Sequence, residues 1–156
     1  MFPIQISIRE LGMSAQRLRA DLFSYARTFG DMREPLTRSV HEVVIPSIGM
    51  NFVVGGRPQW QALSLNRVAR RGSATPILID KGQLIKAALS KTSWRITNDT
   101  ADMSPLDNKV PYAKYHQTGT DVMPRREFAI LQPRDIDDIV GIFSEWVGEQ
   151  ARRRGL

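Results

Sequence analysis

The chain contains no cysteine, which removes disulfides, thiolate nucleophiles and cysteine-based metal sites together. Its two histidines, His41 and His116, fall in different expected elements, so no familiar zinc-ligand spacing is present. No stretch approaches the roughly 20 apolar residues of a membrane span. The opening Met1-Phe2-Pro3-Ile4-Gln5 lacks a basic region followed by an apolar core, so a chain made in the cytosol without a targeting signal or a membrane partner is expected. Acidic residues are missing from the whole interval between Glu42 and Asp80, where Arg57, Arg67, Arg70 and Arg71 all fall.

What is present fits one soluble domain. At 156 residues, 42% hydrophobic and 24% charged, the chain can enclose a core without staples and is not a disordered or collagen-like sequence. Its 22 Lys and Arg against 16 Asp and Glu give a net charge of +6. That balance is compatible with a polyanionic neighbour but does not select one.

Residues 2–8 alternate apolar and polar and read as a half-buried strand, with Pro3 at its start. Leu11, Ala15, Leu18, Leu22, Ala26 and Phe29 recur at three and four, the spacing of an amphipathic helix that Gly30 ends. A second helix carries Met32, Leu36, Val40 and Val43 on one stripe until Pro46 ends or kinks it. The two form a helical hairpin. Glycine, proline and serine then break any period over residues 53–76, which reads as an extended basic loop or arm. Beyond it the pattern predicts a short helix over 77–89 and strands over 91–97, around 101–104 and over 126–131. Pro133 opens a last helix with Ile136, Ile139, Val140, Phe143, Trp146, Val147 and Gln150 on one face, acids at its start and arginines at its end. The expected fold is α+β in a single domain over residues 1–156. A small, mainly antiparallel sheet packs with the N-terminal hairpin and the long C-terminal helix.

Three features invite chemistry. His116, with Tyr112, Lys114 and Tyr115 nearby, could serve as a general base, yet the nearest acids, Asp107 and Asp121, stand in no recognised catalytic order. It reads as structural, bonding backbone at a helix end or lining a subunit contact. Gly55-Gly56 before Arg57-Pro58 lacks the spacing of a dinucleotide fingerprint and the Lys-Ser or Lys-Thr of a phosphate loop, so the glycines serve a sharp turn. Neither a metal nor a cofactor is expected. Trp60, in a polar loop, needs burial from somewhere: it folds back on its own domain or anchors in a neighbouring subunit. The loop arginines could meet phosphate, although no helix-turn-helix, zinc-finger or RNA-recognition pattern accompanies them. They read as a solvated or partner-facing basic loop.

These segments in order resemble the virion morphogenesis or tail-completion family of Mu-like tailed phages. The resemblance runs from the two N-terminal helices through Pro58-x-Trp60-x-x-Leu63-Ser64 and Ile77-Leu78-x-x-x-Gly82-x-Leu84. It continues through Tyr112-Ala113-x-x-His116-Gln117-x-Gly119 and Pro124-x-Arg126-x-Phe128 to the closing helix, and so spans nearly the whole chain. Arg125 and Glu127 depart from the family pattern, which usually has a small residue and often proline there. The resemblance implies a noncatalytic virion component, assembled in the host cytoplasm, that works as a ring of six or twelve identical subunits in the neck and joins the tail to the head. Adjoining tail-terminator, tail-tube or head-connector proteins are its implied partners, with nonspecific contact to DNA in the channel. On this reading Arg57, Trp60, Arg67, Arg70 and Arg71 of the arm, with Tyr112, His116, Gln117, Arg126 and Phe128 at its root, form contacts to a subunit or neighbouring ring. A basic DNA-binding protein without catalytic activity is the alternative.

Overall fold

A computed structural model describes residues 24–156 and, of the segment before them, the backbone of β1 (Gln5–Ser7). The first expected helix lies outside the described residues up to Phe23; residues 24–27 are helical. The chain then turns, with Gly30 at φ +89°, and the Met32 amide donates to the Asn98 carbonyl at 2.8 Å. From there α1 (Arg33–Ser39), a π-helical turn (Val40–Val44) and α2 (Ile45–Val54) run as one helical rod.

Pro46 neither ends the rod nor breaks it, because the π turn lies just ahead of it. Proline deprives the preceding turn of a donor, and the wider turn takes up the mismatch, with the Ile45 amide reaching back five residues to Val40. The same turn re-phases the apolar stripe. In a regular α-helix each four-residue step overshoots a turn by about 40°, yet Leu36, Val40, Val44, Ile48 and Phe52 are all fully buried. The stripe therefore follows Val44, leaving Val43 at its edge.

β2 (Arg95–Ile96) and β3 (Thr100–Asp102) form a hairpin, and β1 adds on the other side of β3, giving the antiparallel order β1-β3-β2. Gln5 faces Asp102, as does Arg95 from the opposite side. The fold is α+β, as the pattern implies. The strand expected over 91–97 is shorter, because Lys91–Ser93 form a 3-10 turn, and the helix expected over 77–89 is reduced to α4 (Gln83–Ala88). Its missing first turn has a local cause: Leu78 sits at φ +63° and Gly82 at +76°, both left-handed and so outside a right-handed helix. Next come α5 (Ser104–Lys109), α6 (Ala113–Thr118) and the 21-residue α7 (Pro133–Arg153).

α7 buries Ile139, Ile142, Phe143, Trp146 and Val147, so Ile142 joins the face expected from the sequence. Its start is fixed by the Asp135 carboxylate, which accepts from the Gln132 amide at 2.7 Å and from the Ser47 hydroxyl of α2. At its other end the Arg154 guanidinium lies over the Phe29 ring and donates to the Phe29 carbonyl. Rod, sheet and α7 close around one core.

The segment expected as a fourth strand, residues 126–131, is in no sheet. Its backbone is met by side chains instead of a neighbouring strand. The Glu127 carbonyl accepts from Trp60 Nε1 (3.0 Å), and the Phe128 and Ile130 carbonyls accept from Asn51 Nδ2 (2.8 and 3.3 Å). Ala129 is held at both polar groups by the Gln117 side-chain amide. A continuous apolar run such as residues 128–131 reads the same for a ladder strand and for a segment clamped in this way.

Candidate functional site

Tyr112 to Phe128 forms one helix-and-return unit, not a loop. α6 ends at Gly119, with φ +73° and ψ 173°, and the chain comes back so closely that a Cβ on Gly119 would lie 2.9 Å from the Arg125 amide nitrogen. Only glycine fits both the backbone angle and the crossing. The return is then pinned by Arg126, whose amide donates to the His116 carbonyl at 2.7 Å. One residue of α6 further on, Gln117 is 2% exposed; its Nε2 donates to the Ala129 carbonyl (2.8 Å) and its Oε1 accepts from the Ala129 amide (3.1 Å). The spacing His-Gln-x-Gly is thus a set of backbone clamps.

The unit also holds the root of the arm. Arg126, 5% exposed, sends Nε to the Gln61 carbonyl (2.9 Å) and Nη2 to the Ala62 carbonyl (3.0 Å). Trp60 packs edge-on against Phe52 with centroids 5.8 Å apart, and Phe52 in turn meets Phe128 at 5.5 Å. Of the two fates open to Trp60, the structure has the first: it folds back on its own domain and is 6% exposed. Residues 53–76 accordingly do not form a free arm. α2 continues to Val54, the backbone turns at Gly55 and Gly56, and α3 (Leu65–Arg71) begins at Ser64, whose hydroxyl accepts from the Arg67 amide.

The expected contact residues divide between the interior and the surface of the subunit. Trp60, Gln117, Arg126 and Phe128 lie inside the subunit: Trp60 and Gln117 satisfy backbone groups of residues 126–131, Arg126 holds the Gln61 and Ala62 carbonyls, and Phe128 packs on Phe52. Arg57 is also turned inward, donating from Nε to Asn51 Oδ1 (2.7 Å) and from Nη2 to the Ser47 carbonyl (2.7 Å). Arg71 donates to the Ile79 carbonyl, and Arg67 pairs with Asp80 at 2.9 Å. Asp80, the first acid after the long basic interval, thus folds back onto it. Arg70, Tyr112 and the neighbouring Tyr115 remain exposed.

Between α3, the 78–84 turn and the Tyr112–Arg126 unit lies a cleft of about 1050 Å³. Among the described residues four cations line it, Arg67, Arg71, Lys81 and Arg126, against the single carboxylate of Asp80. Its apolar rim includes Leu65 and Val122, 87% and 96% exposed, and Tyr115. His116 lines the cleft with its ring edge-on to Tyr112 at 6.0 Å. Its Nδ1 is buried without a hydrogen-bond partner. Burial, and then the Arg126 charge, push the His116 pKa below its ordinary value, so the folded protein favours the neutral ring. A general base is served by a carboxylate that stabilises its imidazolium; here a guanidinium does the opposite. Among the described residues no group of three or more His, Asp or Glu could hold a metal ion, and no helix is long and apolar enough to cross a membrane.

The His116 shift gives a testable sign. Because the folded pKa lies below the unfolded value of about 6.5, the unfolded chain binds the extra proton and stability falls as pH drops through that region. His116→Gln should flatten the decline, measured as urea-unfolding free energy across a pH series. His41, whose pKa burial also lowers, supplies the slope that remains. An unchanged slope in the variant would contradict the assignment.

The chain is 34% identical over 115 residues to the Mu-like prophage FluMu G protein 2 of Haemophilus influenzae, a match covering 69% of this chain and 73% of that protein. The chain belongs to the Mu-like phage virion and tail protein family. No family model matches the sequence, and no solved structure matches it at a significant level. Within this family member, the Tyr112–Phe128 motif has a physical reading: its glycine, glutamine and arginine are the clamps just described.

Proposed function

We propose that this chain is a noncatalytic structural component of a tailed-phage virion, forming a ring at the neck or tail end that joins the tail to the head. Kinship with the Mu-like G protein carries the reading. The local chemistry supports it: polar groups that could have served a reaction, those of Gln117, Arg126 and Asn51, are spent on holding backbone. What is left outward is a basic, apolar-rimmed cleft suited to another protein surface. Six copies, or twelve, complete the ring, and a tail terminator, tail tube or head connector adjoins it.

Of the arm's arginines Arg57 and Arg71 are committed inward, while Arg67, paired with Asp80, and Arg70 are exposed and are the cations a DNA-binding reading would use. That reading calls for affinity falling steeply with salt. Deleting the gene from an inducible phage decides the main proposal. Filled heads and finished tails should accumulate unjoined and become joined when the gene is supplied in trans. Infectious, fully joined particles from the deletion would overturn it.

A further inference from the structure

Among the described residues, two apolar surfaces with no residue in common are exposed. The first is a shoulder on α2, where Met50, Val53 and Val54 stand at the spacing of one helical stripe and are all exposed, Val53 at 75%. The second is the cleft rim of Leu65, Tyr115 and Val122. Single exposed apolar side chains are ordinary on a protein surface; clustered ones of this size mark contact sites.

Their charges differ in sign. Among its described residues the cleft sets four cations against one carboxylate, a balance of +3 with His116 neutral. The shoulder lies in a stretch with no charged residue between Glu42 and Arg57. It is the C-terminal end of the helical rod, which carries partial negative charge. Beside it, Ser47 bonds both Asp135 at the start of α7 and the Arg57 guanidinium, so that three acids, Asp135, Asp137 and Asp138, stand against two cations, Arg134 and Arg57, and the last two acids are exposed. Cleft against cleft would oppose like charges; shoulder against cleft joins opposite ones.

We propose that copies of this chain associate head to tail, the α2 shoulder of one seated in the basic cleft of the next. Such a contact joins two different patches and leaves one of each free at the ends, so it propagates until it closes as a ring or continues as a filament. The inference deepens the ring reading above, rests on it, and names its surfaces.

Analytical ultracentrifugation of the full chain tests it, with Val53→Lys blocking the shoulder and Val122→Glu blocking the cleft. Both sites are exposed, so each variant should melt like the wild type. The wild type should form concentration-dependent species larger than a monomer. Each variant alone should need on the order of tenfold or more protein to associate, and an equimolar mixture should regain at least a 1:1 dimer, because each supplies the face the other lacks. A wild type monomeric up to its solubility limit, a variant that still associates normally, or a mixture of folded variants that stays monomeric would each overturn the proposal. Mass spectrometry of purified particles separates this from the virion reading. A monomer found in particles sinks only the surfaces, whereas an associating chain absent from particles sinks the virion role.

Discussion

Replacing Gln117 with leucine is expected to destabilise the protein by about 2–5 kcal/mol, although leucine is close in size and the site is buried. The loss is electrostatic, not steric: the Ala129 amide and carbonyl both bond the Gln117 side chain, and Ala129 is 1% exposed. Each buried backbone group left without a partner costs about 1–3 kcal/mol. For a chain of this length the melting temperature should fall by about 5–15 °C. Asn51→Leu should have a comparable effect, since it strips the Phe128 and Ile130 carbonyls of a donor and Arg57 of an acceptor. The two should be non-additive because both hold the same segment. Lys114→Ala, at an exposed position of the same helix, should lie within about 0.5 kcal/mol of the wild type. A Gln117→Leu protein with unchanged thermal stability would mean that residues 126–131 are held by something else.

Trp60→Ala should cost about 3–5 kcal/mol, the usual range for deleting a buried aromatic side chain. The ring fills the space beside Phe52, and its Nε1 donates to Glu127. Trp60→Phe should recover most of that loss, keeping the ring contact and giving up the hydrogen bond. The pair of variants separates the two roles open to this residue on sequence grounds. An anchor in a neighbouring subunit would leave the monomer's melting temperature untouched and abolish association. The folded-back tryptophan predicts a lowered melting temperature first. For the same reason removal of residues 57–71 is expected to unfold the subunit, not to yield a folded monomer lacking an arm, because it takes Arg57 and Trp60 out of the interior.

Much of this architecture is legible in the sequence, and the gaps have physical causes. α7 can be read directly, since Pro133, the early acids, the late arginines and the apolar face agree at every level. The β2–β3 hairpin is legible for a similar reason, with its turn at Asn98-Asp99. The expected strand over 126–131 is not, because the groups that satisfy its backbone come from Asn51 and Trp60, far back in the chain, and from Gln117. Nothing in a local period distinguishes them from a ladder partner. The continuation of the rod through Pro46 depends on a π turn that leaves no compositional mark. The motif around His116 shows the clearest division. Its residue types and order carry the family resemblance, while the role of each residue depends on what it reaches: Gln117 on Ala129, Arg126 on the Gln61 and Ala62 carbonyls, Gly119 on its crossing with Arg125. The pairing of the basic interval with an acid depends on a contact made by the fold as well, the return of Asp80 to Arg67 and Arg71.

The most direct measurement of the central claim is a density map of the neck and tail end of the intact particle. The account predicts several copies of this subunit in a closed ring between tail and head, its core as described here and the α2 shoulder of each copy against the cleft of the next. Particles in which head and tail are joined with no density for this chain would contradict it.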